Sequence, residues 1–406
     1  MTDTLTDHDI EEGELPEGWE SYTLGEVAKW GSGGTPKSGV TRYYGGDIPW
    51  AVIRDLNDDV VLTTESSITD EGLNESSAKM IEPGSILVAM YGSIGKLGLA
   101  GQPMSTNQAI AFANPLSDCI AERFLFYFLM SQRELLLRAG KGATQQNISQ
   151  TILKSWPISV PPLEEQGRIV EILEDQLSHL DTARHSLHAV RKKAAQFRRS
   201  LLHAAFTGAL TGHDVEDGLP EGWESNTLNY FCEMYQPKTI SRKELVDDGP
   251  YPVFGANGQI GFYTDFNHEE SEVTVTCRGA TCGTVNVIPA MSWITGNAMV
   301  VRPKGQSLGK EYLNYFLQSS DFTSVISGTA QPQITRKTLS TLETVIAPRA
   351  EQERIVEILE DQLSRLDASL AVVDAVEERS GALRRSLLHS AFTGRLTEEW
   401  REAVNV

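Results

Sequence analysis

Two stretches of this 406-residue chain concentrate side chains that hydrogen-bond to flat polar edges and to phosphates. The first holds Thr35, Lys37, Arg42, Tyr43, Tyr44, Arg54, Lys96, Asn107 and Gln108. The second holds Lys238, Asn257, Gln259, Arg278, Asn297, Gln331 and Gln333. Asn and Gln amides can pair bidentately with an adenine edge, Arg and Lys with guanine, and the amides of glycine-rich loops with phosphate. The competing reading is plain turn chemistry, because glycine and asparagine are favoured in turns for backbone reasons alone. Trp19, Trp50 and Trp223 are expected in cores rather than at a surface.

No catalytic constellation accompanies these residues. The chain has no G-x-G-x-x-G, no G-x-x-x-x-G-K-[ST] and no H-E-x-x-H. Gly92 to Lys96 has the flavour of a phosphate loop but not its spacing. The eight histidines form no ligand set, and His185 and His188, three apart, have no counterpart in the second half. The four cysteines include no C-x2-C pair, which suggests a reduced, cytoplasmic protein without structural zinc. No apolar run reaches about 18 residues, so no membrane span is expected, and the acidic N-terminus is unlike a signal peptide. A binding or scaffold protein with no cofactor of its own follows.

The net charge of −20 argues against a nucleic-acid partner until it is located. Residues 1–30 carry nine acids and one base, and residues 212–224 carry five acids and no base. The blocks 31–162 and 225–348 hold ten bases against twelve acids and nine against eleven, so each is near neutral and can carry a local basic patch.

The elements that must hold these loops are two long helices. No Gly or Pro lies between Arg168 and Thr207, and Ile169, Leu173, Gln176, Leu180, Ala183, Leu187, Val190, Ala194, Phe197, Leu201 and Ala204 alternate by four and three. That spacing is a coiled-coil seam, on a rod about 60 Å long at 1.5 Å per residue. The partner lies 186 residues on, with its seam at Ile355, Leu359, Gln362, Leu366 and Val373. Ile169 to Ser178 recurs letter for letter as Ile355 to Ser364, and Phe206-Thr207-Gly208 recurs as Phe392-Thr393-Gly394. Leu15-Pro16-Glu17-Gly18-Trp19-Glu20-Ser21 returns as Leu219 to Ser225. The chain is an internal duplication.

The resulting organisation is an acidic disordered tail (1–14), a first globular domain (15–162), a long helix (163–211), an acidic linker and second domain (212–348), a second long helix (349–397) and a C-terminal tail (398–406). In the first domain Ile86 to Met90 reads as a buried strand and Phe124 to Leu137 has helical spacing. In the second, Val273 to Cys277 and Tyr312 to Leu317 echo them, Asn297 is placed with Asn107, and Gly328 to Ile334 answers Gly142 to Ile148. The ends of each half are alike and the middles differ, so a common partner is expected on the former and different targets on the latter.

In this order the motifs resemble the specificity subunit of type I restriction–modification enzymes, over nearly everything from Leu15 to Trp400. The marks are Leu-Pro-Glu-Gly-Trp before each middle, Gly34-Thr35-Pro36 with Gly46-Asp47-Ile48-Pro49-Trp50, and Tyr251 to Gly258. To these are added Pro161-Pro162-Leu163-Glu164-Glu165-Gln166 answered by Ala347-Pro348-Arg349-Ala350-Glu351-Gln352, with the exits at Phe206 to Thr211 and Phe392 to Trp400. The resemblance implies an α+β protein, with two target recognition domains joined by two antiparallel helices forming a coiled coil. Each domain would read one half of an asymmetric bipartite site in double-stranded DNA, with the helices setting the spacer. It also implies two methyltransferase subunits, bringing S-adenosylmethionine for adenine N6 methylation, and motor–nuclease subunits. The alternatives are an acidic scaffold or DNA mimic, disfavoured because the acid is confined to a tail and a linker, and the specificity subunit of a methylation-only system.

Overall fold

The computed structural model describes residues 15–140, 147–214, 218–256, 258–328 and 331–404. They form two compact units: one runs to His185 and resumes at Val376, and the other is Ser186–Ala375. Each unit combines a mixed α/β domain with one half of each of two long helices, as the α+β expectation requires. The acidic tail 1–14, Asn257 and residues 141–146 and 329–330 of the paired loops lie outside the described residues.

Among the described residues the first unit has ten strands: β1 Glu20–Thr23, β2 Ala28–Ser32, β3 Tyr44–Ala51, β4 Val60–Val61, β5 Ser67–Ile68, β6 Ile86–Ala89, β7 Leu97–Ala100, β8 Ser105–Thr106, β9 Ile110–Pro115 and β10 Pro157–Val160. They pair as a five-stranded sheet β2-β9-β6-β7-β4, a three-stranded sheet β5-β3-β8 and the pair β1-β10. β6, Ile-Leu-Val-Ala, is buried along its whole length, the fate of an apolar run covered on both faces. One cover is the helix Glu122–Ser131, whose residues Phe124 to Met130 are all buried. The helical stretch read from Phe124 to Leu137 is two helices, the second being Arg133–Ala139.

The second unit repeats the plan with β11 Glu224–Thr227, β12 Cys232–Tyr235, β13 Tyr251–Gly255, β14 Gly258–Tyr263, β15 Glu272–Thr276, β16 Val285–Ile288, β17 Trp293–Ile294, β18 Ala298–Pro303 and β19 Glu343–Ile346. The sheets are β12-β18-β15-β16, β14-β13-β17 and β11-β19. β15 is the wholly buried central strand and the helix Lys310–Ser319 covers it. Trp19, Trp50 and Trp223 are all buried.

The long helices are Leu163–Thr207 and Arg349–Phe392, several residues shorter than the expected 163–211 and 349–397. Gly208 (φ 86°) and Gly394 (φ 76°) stop them in the left-handed conformation that glycine adopts without strain. The repeated Glu-Gln at each helix start is an anchor. Gln166 spans Cys119 O (3.0 Å), Pro161 O (2.8 Å) and Ala121 N (2.7 Å). Gln352 does the same with Ser307 O, Ala347 O and Gly309 N, each at 2.8 Å.

Within each unit the helix halves run antiparallel. Arg384 pairs with Asp181 at 2.8 Å in the first unit, and Arg191 with Asp374 and Arg198 with Asp367 in the second. The seam differs from the expected heptads at several positions: Ala183, Val190 and Phe197 of the first helix are exposed, and in each helix the seam glutamine gives way to the leucine after it. Leu177 and Leu363 are buried, while Gln176 is exposed and Gln362 half-exposed. Ile169, Leu173 and Leu177, like Ile355, Leu359 and Leu363, step by four because this end of each helix packs on a domain core rather than on the partner helix alone. Further along, Leu180, Leu187 and Leu366 are only half-buried and Val373 is buried. Residues 398–406, expected as a tail, instead include the helix Glu398–Val404.

Candidate nucleic-acid interface

Both domains build the same frame at the ends of their central strands. In the first unit Gly33 N and Gly34 N donate to Ile110 O (3.1 Å) and Thr106 O (2.9 Å), and Met90 N donates to Ala109 O (2.8 Å). Ile148 N donates to Met90 O (3.0 Å), and Tyr91 and Asn147 form an antiparallel bridge. Three loops are thereby laced side by side. Gly33 is a glycine by necessity, because a Cβ there would collide with Thr106 and the backbone of Asn107.

The second unit repeats the lacing. Cys277 N donates to Asn297 O (3.0 Å), Ile334 N donates to Cys277 O (2.9 Å), and Arg278 and Gln333 form the bridge. Gln236 Nε2 closes the third loop on Gly296 O (3.1 Å). An indole braces the loop after the edge strand in each unit, but from different strands: Trp50 Nε1 of β3 donates to Gly34 O and Trp293 Nε1 of β17 to Lys238 O.

This register corrects one sequence equivalence. Asn107 N donates to Ala51 O and Asn107 O accepts from Ile110 N; the residue with both roles in the second unit is Thr295, with Phe254 and Ala298. Asn297 stands where Ala109 stands. The two middles differ in loop length, so aligning them by matching letters slipped by two residues.

The frame gathers some candidates and disperses others. Thr35 donates its hydroxyl to Gln108 Oε1, Tyr44 OH donates to Pro36 O (2.6 Å), and Lys37 is exposed on the same loop. Asn107 turns its Oδ1 back to Ala109 N (3.1 Å). Arg42 and Tyr43 belong to a separate cluster, because Arg42 binds Glu71 (2.6 Å) and the buried Tyr43 donates to Glu75. Arg54 pairs with Glu65 (2.9 Å), and Lys96 donates inward to Ile53 O (3.2 Å). These four are committed to holding loops. In the second unit Lys238, Arg278, Asn297 and Gln331 are exposed and Gln333 is half-buried. Gln259 is exposed, with its amide 3.4 Å from Gly261 O.

Sequence reasoning passed over Tyr91, Arg336 and Lys337. Tyr91 occupies the frame position of Arg278. Arg336 and Lys337, both exposed, follow Ile334 as Gln150 and Thr151 follow Ile148. The Ile148–Ile334 match was the available signal.

The remaining titratable groups are structural. His268 is buried between Tyr235 OH (3.0 Å from Nε2) and Asn267 Oδ1 (2.6 Å from Nδ1), and burial lowers its pKa. Burial pushes the Cys232 thiol up to about 12 and raises Cys277, so neither is a ready nucleophile. Among the described residues no group of three His, Cys, Asp or Glu side chains could hold a metal ion, and no helix is long and apolar enough to cross a membrane.

A sequence profile described as "Type I restriction modification DNA specificity domain" matches residues 16–189 and 220–370. The chain is 24% identical over 242 residues to the type I restriction enzyme MjaIX specificity subunit of Methanocaldococcus jannaschii, covering 57% of this chain and 56% of that protein. It is 32% identical over 207 residues to the EcoR124I/EcoR124II specificity subunit of Escherichia coli, covering 48% and 49%. The match thus spans about half the length of these two relatives. Against the EcoBI specificity subunit of Escherichia coli it is 23% identical over 426 residues, covering 95% and 88%. A solved structure from work on "complex assembly and conformational transition of the type I R-M system" has the same fold, with a TM-score of 0.73 at 20% identity over 94% of this chain and 100% of that one.

Proposed function

The chain belongs to the type I restriction–modification DNA specificity family, and from that premise we propose that it is a non-catalytic subunit that reads an asymmetric bipartite site in double-stranded DNA, one half per unit. The observation that carries this reading is the duplicated loop frame: one backbone lacing, two different sets of side chains. Two copies of a frame bearing the same letters would read a symmetric site; these bear Tyr91 and Asn147 in one and Arg278 and Gln333 in the other.

The long helices, alike in both repeats, act as the ruler between half-sites and as the dock for two methyltransferase subunits. Those subunits bring S-adenosylmethionine and methylate adenine N6 after flipping the base from the stack. Motor–nuclease subunits complete the restriction complex in the cytoplasm. The concentration of acid outside the two domains favours this reading over a DNA mimic, whose acid would line a whole surface.

The test is a domain exchange. Residues 225–340 are replaced by another recognition domain, and methylated adenines are mapped in DNA from cells carrying the methyltransferase subunit. One half of the motif changes and the other stays. A change in both halves, or methylation without sequence preference, rejects the reading.

A further inference from the structure

We infer that Arg278, braced by Gln333, is the side chain through which the second unit reads a guanine in its half-site, and that Tyr91 beside Asn147 holds the corresponding place in the first. The inference rests on the reading above and adds to it a named specificity position.

The frame selects the position. β6 and β15 are wholly buried, as are Met90 and Cys277 after them. Tyr91 and Arg278 are the first exposed residues on each strand's path, and each is bridged to the residue preceding an isoleucine, Asn147 before Ile148 and Gln333 before Ile334. Same backbone place with different chemistry is what discrimination between two half-sites demands.

Charge then separates the two. Five of the nine arginines of the two domains are in ion pairs: Arg42 with Glu71, Arg54 with Glu65, Arg123 with Glu174, Arg133 with Asp58 and Arg302 with Glu272. Among the described residues no carboxylate forms an ion pair with Arg278. Arg138, Arg242 and Arg336 likewise have no ion pair among the described residues, but Arg278 is the one of these four bridged into the loop frame at the end of a buried central strand. Its base is also held. Gly279 N donates to Pro332 O (3.2 Å) and Gly283 N to Thr276 O (2.9 Å), so the loop is tied at both ends. A fixed base lowers the ordering cost of presenting the side chain. The guanidinium fork matches guanine O6 and N7 together, and a phenol at this place cannot do so. Arg336 and Lys337 are the phosphate-contacting side chains beside it, where the first unit has Gln150 and Thr151.

The experiment uses the full chain with its methyltransferase subunit, mapping methylated adenines genome-wide and measuring DNA binding against salt. Arg278→Ala should make one base pair degenerate in the half-site of the second unit only, with discrimination there falling roughly 5- to 150-fold. Arg278→Lys keeps the charge without the fork and should relax the same base pair; it decides the matter if the alanine variant is inactive. The double variant Arg336→Gln, Lys337→Gln should keep the motif and flatten the slope of log affinity on log salt by about 1.8. An unchanged motif in Arg278→Lys, or an equal loss on all DNA with the motif intact, overturns the assignment and makes Arg278 a phosphate contact. A wild-type complex that methylates regardless of sequence sinks the underlying reading and this assignment with it.

Discussion

Arg401→Ala should cost the first unit about 3 kcal/mol. Arg401 donates Nε (3.1 Å) and Nη2 (2.7 Å) to Glu165 Oε1 and Nη2 to Gly394 O (2.8 Å), with its guanidinium 5.8 Å from the Trp19 ring centre. Glu165 also accepts from Trp19 Nε1 (3.1 Å) and Thr397 Oγ1 (2.6 Å). The two side chains are 15% and 3% exposed, so water screens them little. Removing one partner of such a pair costs about 3–5 kcal/mol, because the other charge stays buried. The lower figure applies to Arg401→Ala, since two donors remain on the carboxylate. Glu165→Ala should cost more, about 4–5 kcal/mol, because it strands a guanidinium, an indole N–H and a hydroxyl together.

The assay is calorimetry, which can resolve separate transitions for the two units. At about 2–4 °C per kcal/mol for a unit of this size, Arg401→Ala should lower the first unit's Tm by roughly 6–12 °C and leave the second unchanged. The double variant should cost about 2 kcal/mol less than the two single costs together. A shift under about 1 °C, or strict additivity, would refute the clasp and restore residues 398–406 to the status of a tail.

Three further outcomes are expected. In the second unit burial would push the Glu351 carboxyl up, but hydrogen bonds from Thr211, His213 and Trp223 outweigh it and hold the group below its ordinary 4.5. Its contribution is therefore present above that value and lost as pH falls through the lower folded one, so Glu351→Gln should weaken the second unit at pH 7 and match wild type in strong acid by urea denaturation; an equal deficit at both pH values would contradict this. Deleting one heptad from each long helix removes about 10 Å and should shorten the gap in the mapped motif by about three base pairs or stop methylation, and an unchanged gap would show that the helices are not the ruler. Phe197 and Val190, a heptad apart, are each 45% exposed; Phe197→Glu should reduce methyltransferase-subunit affinity at least about tenfold by titration calorimetry while stability moves by under about 0.5 kcal/mol, and unchanged affinity would move the dock elsewhere.

Much of the fold was legible because the duplication was written in letters. Residues 169–178 recur intact, and a seam repeated at a fixed offset can be read without knowing what covers it. What escaped was set by partners far away in sequence. Gln176 fits a heptad on paper, but Leu177 faces the domain core that the chain wraps on that end of the helix. Arg42 and Arg54 look available for DNA until Glu71 and Glu65 are seen beside them. Asn297 drew its equivalence from a shared letter, while the hydrogen-bond register gave that role to Thr295. The candidate site was thus legible as a composition and not as a list.

The least visible feature in the sequence is how the repeats combine. The offset of 186 carries Asp181 to Asp367 and Arg198 to Arg384, so the ion pair Asp181–Arg384 in the first unit and Arg198–Asp367 in the second are copies of one interaction. In each copy the aspartate comes from one repeat and the arginine from the other. The same exchange occurs at the carboxylates. Glu165 of the first repeat takes Thr397 of the second, and Glu351 of the second takes Thr211 of the first, both at 2.6 Å. Each unit is therefore completed by the helix end of the opposite repeat, and neither corresponds to a continuous piece of chain. A cut near residue 212 would separate from each domain the arginine, the threonine and the helix half supplied by the opposite repeat.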